Sequence, residues 1–127
     1  MDTKIKWGII GLGKIATSFA EDLQRVEDAE LVAVASTSNQ RAKQFASKFT
    51  IATYYNNYQE LFNNKNVDII YIATVHVTHA ELSIKAMQHK KHVLCEKPLA
   101  INFVDAQKMI ETSLKHKVFF MEGLWSR

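Results

Sequence analysis

The feature that most constrains this chain is an alternation between two kinds of segment. Short apolar runs recur at Lys4–Ile10, Leu31–Ala35, Asp68–Ala73, His92–Cys95 and Val118–Met121, with a weaker one at Thr53–Tyr55. None shows strict apolar–polar alternation, which suits strands of a parallel sheet covered on both faces by helices. Between them stand segments of helical period. Ile15, Phe19, Leu23 and Val26 share one face, as do Ala42, Phe45, Ala46 and Phe49, and later Ala106, Ile110 and Leu114. Thr78 with Glu81 has the pattern of a capping box, Asn57 with Glu60 is a looser version, and Asn102 suits the start of the last helix.

The resulting order, β-α-β-α-β-α-β-α-β-α-β, predicts an α/β fold: a doubly wound, mainly parallel six-stranded sheet with helices on both faces, the Rossmann arrangement. At 127 residues the chain fits one domain with a substantial core. A single cysteine, Cys95, excludes an intrachain disulfide and points to a cytoplasmic setting. The first residues lack the apolar core of a secretion signal, and no apolar run nears the roughly 18 residues of a membrane span. The net charge of +3 comes from scattered residues without a basic block, so neither nucleic acid nor a membrane is an expected partner.

The first strand runs into Gly11-Leu12-Gly13-Lys14-Ile15-Ala16, a G-x-G-x-x-A sequence between a strand and a helix. In that context Gly11 permits the tight turn, Gly13 lets a pyrophosphate approach the backbone, and Ala16 keeps the helix close to the sheet. Free N–H groups at the helix start then face the phosphates. Lys14 either assists them or is an exposed first-turn lysine. A ribose-binding acid is expected roughly 20 residues further on, at the end of the second strand. That position holds Ser36, followed by Thr37 and, on the next helix, Arg41. With no carboxylate to repel a 2′-phosphate, and a guanidinium and hydroxyls to bind it, NADP is favoured, with NAD as the alternative. The competing account makes Ser36 or Ser38 a helix cap and Arg41 a solvated residue.

Together, GIIGLGKIA, VAVAS with RAKQFA, DIIYIATVHVTHAE, HVLCEKPLA and FFMEGLWSR resemble the glucose–fructose oxidoreductase/inositol dehydrogenase family, Gfo/Idh/MocA, over essentially the whole chain. The Glu96-Lys97-Pro98 triplet is its most specific mark. The closing MEGLWSR resembles the branch of dimeric dihydrodiol dehydrogenases and NADP-dependent aldose dehydrogenases. The resemblance implies hydride transfer between NADP (alternatively NAD) and a hydroxyl of a sugar, polyol or dihydrodiol.

It further implies that Lys97 is catalytic and near the nicotinamide, where an ammonium stabilises alkoxide character. Glu96 would fix the turn or the cofactor, and Pro98 would follow a cis peptide. Thr74, His76 and His79 would contact the cofactor. The family's P-N-x-x-H pattern is departed from here, with Val75 for proline and His76 for asparagine. Trp125 would lie by the substrate and Arg127 near the cofactor; an anchoring tryptophan and a solvated arginine are the plain alternatives. Thr37 stands where the branch often carries arginine. His76 and His79 lack a thiolate or carboxylate nearby in sequence, so no metal is expected. The resemblance implies that family members are about twice this length or more. Residues 1–122 are thus expected to form the NAD(P)-binding domain and 123–127 the start of a connection to a substrate domain absent from this chain. That domain would make the full-length protein a homodimer or higher oligomer. A non-catalytic dinucleotide-binding module with a ligand-dependent interaction surface is the competing reading.

Overall fold

A computed structural model describes residues 4–74, 78–96 and 103–123. The strands are β1 (Ile5–Ile10), β2 (Ala29–Ala35), β3 (Thr53–Tyr55), β4 (Ile69–Ile72), β5 (His92–Glu96) and β6 (Phe120–Gly123). The helices are α1 (Lys14–Leu23), α2 (Asn39–Phe49), α3 (Tyr58–Phe62), α4 (His79–Gln88) and α5 (Phe103–His116). All pairings are parallel, in the order β3-β2-β1-β4-β5-β6. The chain builds outward from β1 in one direction and from β4 in the other. The order therefore reverses between these two central strands, and crossovers of one hand place their helices on opposite faces.

Two cores follow from that geometry. On one face α1 and α2 contribute Ala16, Phe19, Ala42 and Phe45, packed against Ile9, Val34, Tyr71 and Leu94. On the other, α3, α4 and α5 contribute Leu61, Leu82, Met87 and Met109, packed against Ile10, Ile70, Ile72 and Val93. β4 is buried at every position, which is why its sequence, IIYI, shows no alternation. Asn57 caps α3 as its sequence predicts: its side-chain oxygen accepts the Glu60 N–H at 2.9 Å, and its amide donates to Glu60 Oε1 at 3.2 Å.

Three local expectations are corrected. α1 stops at Leu23, so Val26 lies past the helix and is 49% exposed, and Ile15 also faces out. The buried stripe is Ala16, Phe19, Ala20 and Leu23, because two alanines let the helix backbone approach the sheet. The Thr78–Glu81 capping box does not form. Thr78 has helical dihedrals and makes no cap bond; its hydroxyl instead pairs with that of Thr74 at 2.6 Å.

In α5 the apolar stripe faces outward, with Ile110 51% and Leu114 73% exposed, while Met109 is buried and Ala106 half-buried. The helix is oriented by its contacts with α4 and by the Ser113 hydroxyl, which donates to the Val118 carbonyl at 2.7 Å. Periodicity locates an apolar stripe but not the side from which a neighbour arrives. The expected Asn102 cap lies outside the described residues. Among the described residues, no helix is long and apolar enough to cross a membrane.

Candidate dinucleotide-binding site

The C-terminal ends of β1, β2, β4 and β5 gather at one edge of the sheet, and most of the expected site residues stand there. Gly11 and Gly13 have different tasks. Gly11 has φ +84°, and a Cβ there would lie 2.6 Å from Ala73 C and Thr74 N. No side chain fits against that peptide, so the β1–α1 turn can pass the end of β4 only with glycine. Gly13 is extended, and a Cβ there would meet nothing within 4 Å. Among the described residues, its lack of a side chain serves no contact. The space it leaves lies beside the first turn of α1.

Among the described residues, that turn offers donors that nothing claims. Gly13 is the N-cap and makes no side-chain cap bond, and the turn holds no acid. Thr17 turns back on the loop, both its N–H and its hydroxyl donating to the Gly13 carbonyl, at 3.0 and 3.1 Å. The N–H groups before it have no partner within a helix, and they carry the positive end of its dipole. Lys14 and Ile15 are exposed on this turn, and Leu12 is buried under it. An anionic group set over Gly13 would meet donors and no carboxylate.

At the end of β2, Ser36 is buried; its N–H continues the ladder to the Tyr55 carbonyl, and its hydroxyl oxygen accepts from Ser38 N–H at 3.1 Å. Ser38 caps α2, its hydroxyl accepting from Arg41 N–H at 3.3 Å. The capping account of these serines therefore holds for Ser38. Thr37 and Arg41 are exposed. Leu12, Gly13, Arg41, Gln44, Phe45 and Lys48 line a cleft of about 350 Å³ between the glycine loop and α2. Gln44 and Lys48 were missed by the sequence analysis, although both fall one and two turns beyond Arg41 on the same helix face. A larger basin of about 710 Å³ opens at the opposite edge of the sheet around Trp7, Val67, Lys91 and Phe119, remote from the glycine loop.

At the β4 exit, Thr74 is half-buried and its carbonyl accepts from His79 Nε2–H at 2.9 Å. His79 is 1% exposed, so it pins the end of β4 to α4 and leaves Thr74 the outer position. Glu96 ends β5 and is 5% exposed. Its Oε2 accepts from the Tyr71 hydroxyl, and its Oε1 is buried without a hydrogen-bond partner among the described residues. Tyr71 is stacked on Phe19 at 3.9 Å, and Phe19 in turn tilts against Trp7. Burial, and then the hydrogen bond and charge of Glu96, push the Tyr71 phenol up from its ordinary range. Burial likewise pushes the Cys95 thiol up to about 12, so it is neutral and inert, as expected of a core residue. His76, Lys97, Trp125 and Arg127 lie outside the described residues.

The residues present fit a nicotinamide dinucleotide. The open volume at Gly13, the acid-free helix start, the cationic cleft and the Glu96 acceptor left unpaired among the described residues all lie at the carboxyl-terminal edge of the parallel sheet, whose strand order reverses between β1 and β4.

The model of an oxidoreductase family with an NAD-binding Rossmann fold, GFO_IDH_MocA, matches residues 5–124. A trans-1,2-dihydrobenzene-1,2-diol dehydrogenase from Xenopus tropicalis is 39% identical over 124 residues, covering 96% of this chain and 38% of that protein. An NADP(+)-dependent D-xylose 1-dehydrogenase from Hypocrea jecorina is 38% identical over 135 residues, covering 97% of this chain and 34% of that protein. A 3-ketoreductase from Actinomadura kijaniata, solved in complex with NADP and TDP-benzene, superposes with a TM-score of 0.91 at 30% identity. That superposition covers 94% of this chain and 37% of the other. The chain thus spans little more than a third of the length of the relatives it matches.

Proposed function

The chain belongs to the GFO_IDH_MocA oxidoreductase family with its NAD-binding Rossmann fold, and from that premise we propose that it is the cofactor-binding part of an NADP-preferring dehydrogenase. Residues 1–122 would form the NAD(P)-binding domain. The substrate class is a hydroxyl of a sugar, polyol or dihydrodiol, in line with the names of a dihydrodiol and a xylose dehydrogenase among its relatives. The observation that carries the cofactor assignment is Gly13, whose missing side chain leaves space beside an uncapped, acid-free helix start.

Each residue then has a task. Gly11 shapes the turn, and the backbone of Leu12, Gly13, Lys14 and Ile15 receives the pyrophosphate. Ser36, Thr37 and Arg41 receive the adenosine ribose and its 2′-phosphate, with Lys48 adding a second cation at the cleft. Thr74, held by His79, and Glu96, held by Tyr71, supply polar contacts further along the edge. When bound, the nicotinamide supplies the hydride acceptor or donor. Lys97, the residue after Glu96, would hydrogen-bond the reacting hydroxyl and stabilise its developing negative charge. Trp125 would line the substrate side; His76 and Arg127 would add cofactor contacts.

Titrating the 127-residue chain with NADPH and NADH, followed through Trp7 and Trp125 fluorescence, tests the cofactor assignment. Saturable binding with NADPH tighter is expected. Tighter NADH would reverse the preference, and no binding by the folded chain would refute the site.

A further inference from the structure

Tyr71 and Glu96 form a buried pair whose arrangement calls for more than packing. Parallel register sets Tyr71 opposite Leu94, so Glu96 lies two residues further along β5 on the same face. The tyrosine ring is locked against Phe19 of α1, the helix that begins at the glycine loop. Its hydroxyl donates to only one oxygen of the carboxylate, Oε2. Oε1 is equally buried and has no hydrogen-bond partner among the described residues. An unpaired buried acceptor is costly and calls for a partner, which the described residues do not supply. This one stands at the edge that carries Gly11, Gly13 and Thr74.

We infer that Tyr71 is a positioning residue: by holding Oε2 it fixes the Glu96 carboxylate so that Oε1 accepts a hydrogen bond from the nicotinamide–ribose half of a bound dinucleotide. That half carries donors, the ribose hydroxyls and the carboxamide N–H. The adenosine half binds at the other end of the edge, by Ser36 and Arg41. The inference rests on the proposed dinucleotide site and adds to it the device that orients its acidic acceptor.

The test compares NADPH with 2′,5′-ADP, which carries the adenosine 2′-phosphate but no nicotinamide half. Tyr71→Phe keeps the ring stack and removes the donor. It should weaken NADPH by about tenfold, the worth of one well-placed hydrogen bond, and change 2′,5′-ADP affinity less than about twofold. Glu96→Gln should show the same selectivity, and Tyr71→Phe should then have little further effect in the Glu96→Gln background. Equal losses for the two ligands, or no loss for either, overturn the inference. Should Tyr71→Phe fail to fold, Tyr71→Met, which also removes the donor, takes its place in the same comparison. A wild-type chain that binds neither ligand overturns the dinucleotide site and this inference with it. One that binds both, with the ratio unmoved by either substitution, overturns the inference only.

Discussion

Gly11 lies against the Ala73–Thr74 peptide so closely that a Cβ on it would be 2.6 Å from Thr74 N. This contact seats the β1–α1 turn on the exit of β4, and it joins the two central strands where the sheet order reverses. A side chain would be doubly opposed, by the positive φ and by backbone atoms that cannot rotate away. Gly11→Ala should therefore destabilise the fold by about 2 kcal/mol or more. Urea unfolding followed by far-ultraviolet circular dichroism measures it, and an unchanged midpoint would contradict the geometry.

Gly13 should behave in the opposite way. Its φ is one any residue adopts, and a Cβ would meet nothing. Gly13→Val should cost no more than about 1 kcal/mol, the preference of an N-cap for glycine over valine. Yet it should abolish dinucleotide binding, because its side chain fills the space over the helix start. The pair of substitutions separates a glycine required by the fold from one required by the ligand. A folded Gly13→Val variant with normal NADPH affinity would remove the pyrophosphate from this loop.

Arg41 and Lys48 face one cleft with Gly13 at its other wall. If this cleft receives the 2′-phosphate, Arg41→Ala should weaken NADPH at least about tenfold more than NADH, since a charged hydrogen bond is lost for one ligand only. Lys48→Ala should act in the same direction but less, and both effects should shrink as salt screens the exposed charges. Parallel titrations with the two cofactors measure the ratio. Equal losses would assign these cations to the shared part of the ligand.

What could be read from the sequence follows a physical line. The glycine loop is local: backbone freedom, spacing and the flanking strand and helix are all visible in six residues. The parallel sheet is legible because buried strands such as IIYI carry no polar face. The Thr78–Glu81 pattern misled because Thr74 offers its hydroxyl a closer partner, a competition between residues the capping rule does not weigh. In α5 the stripe of Ile110 and Leu114 was visible, but not its outward direction, which depends on where α4 lies. The Tyr71–Glu96 pair was not legible at all. Its members are 25 residues apart, and they meet only through the β4–β5 register.

Cys95 provides a test of the core beneath the site. It is fully buried between strands and α4, and burial raises its thiol from 9.0 to about 12, with the neighbouring Ser83 hydroxyl offsetting part of that effect. In the unfolded chain the thiol ionises near its ordinary value; in the folded chain it holds its proton. Between those values the folded state binds more protons, so stability falls as pH rises. The stabilising contribution is complete below about pH 9 and is lost progressively toward pH 12. Above pH 9 the wild-type unfolding free energy should decline more steeply than that of Cys95→Ala, by up to about 1.4 kcal/mol per pH unit. The same burial predicts that iodoacetamide at pH 8.5 leaves the native thiol unmodified and alkylates it once urea unfolds the chain. Rapid alkylation of the folded protein, or parallel pH profiles for the two proteins, would place Cys95 in contact with solvent and contradict a closed core at the end of β5.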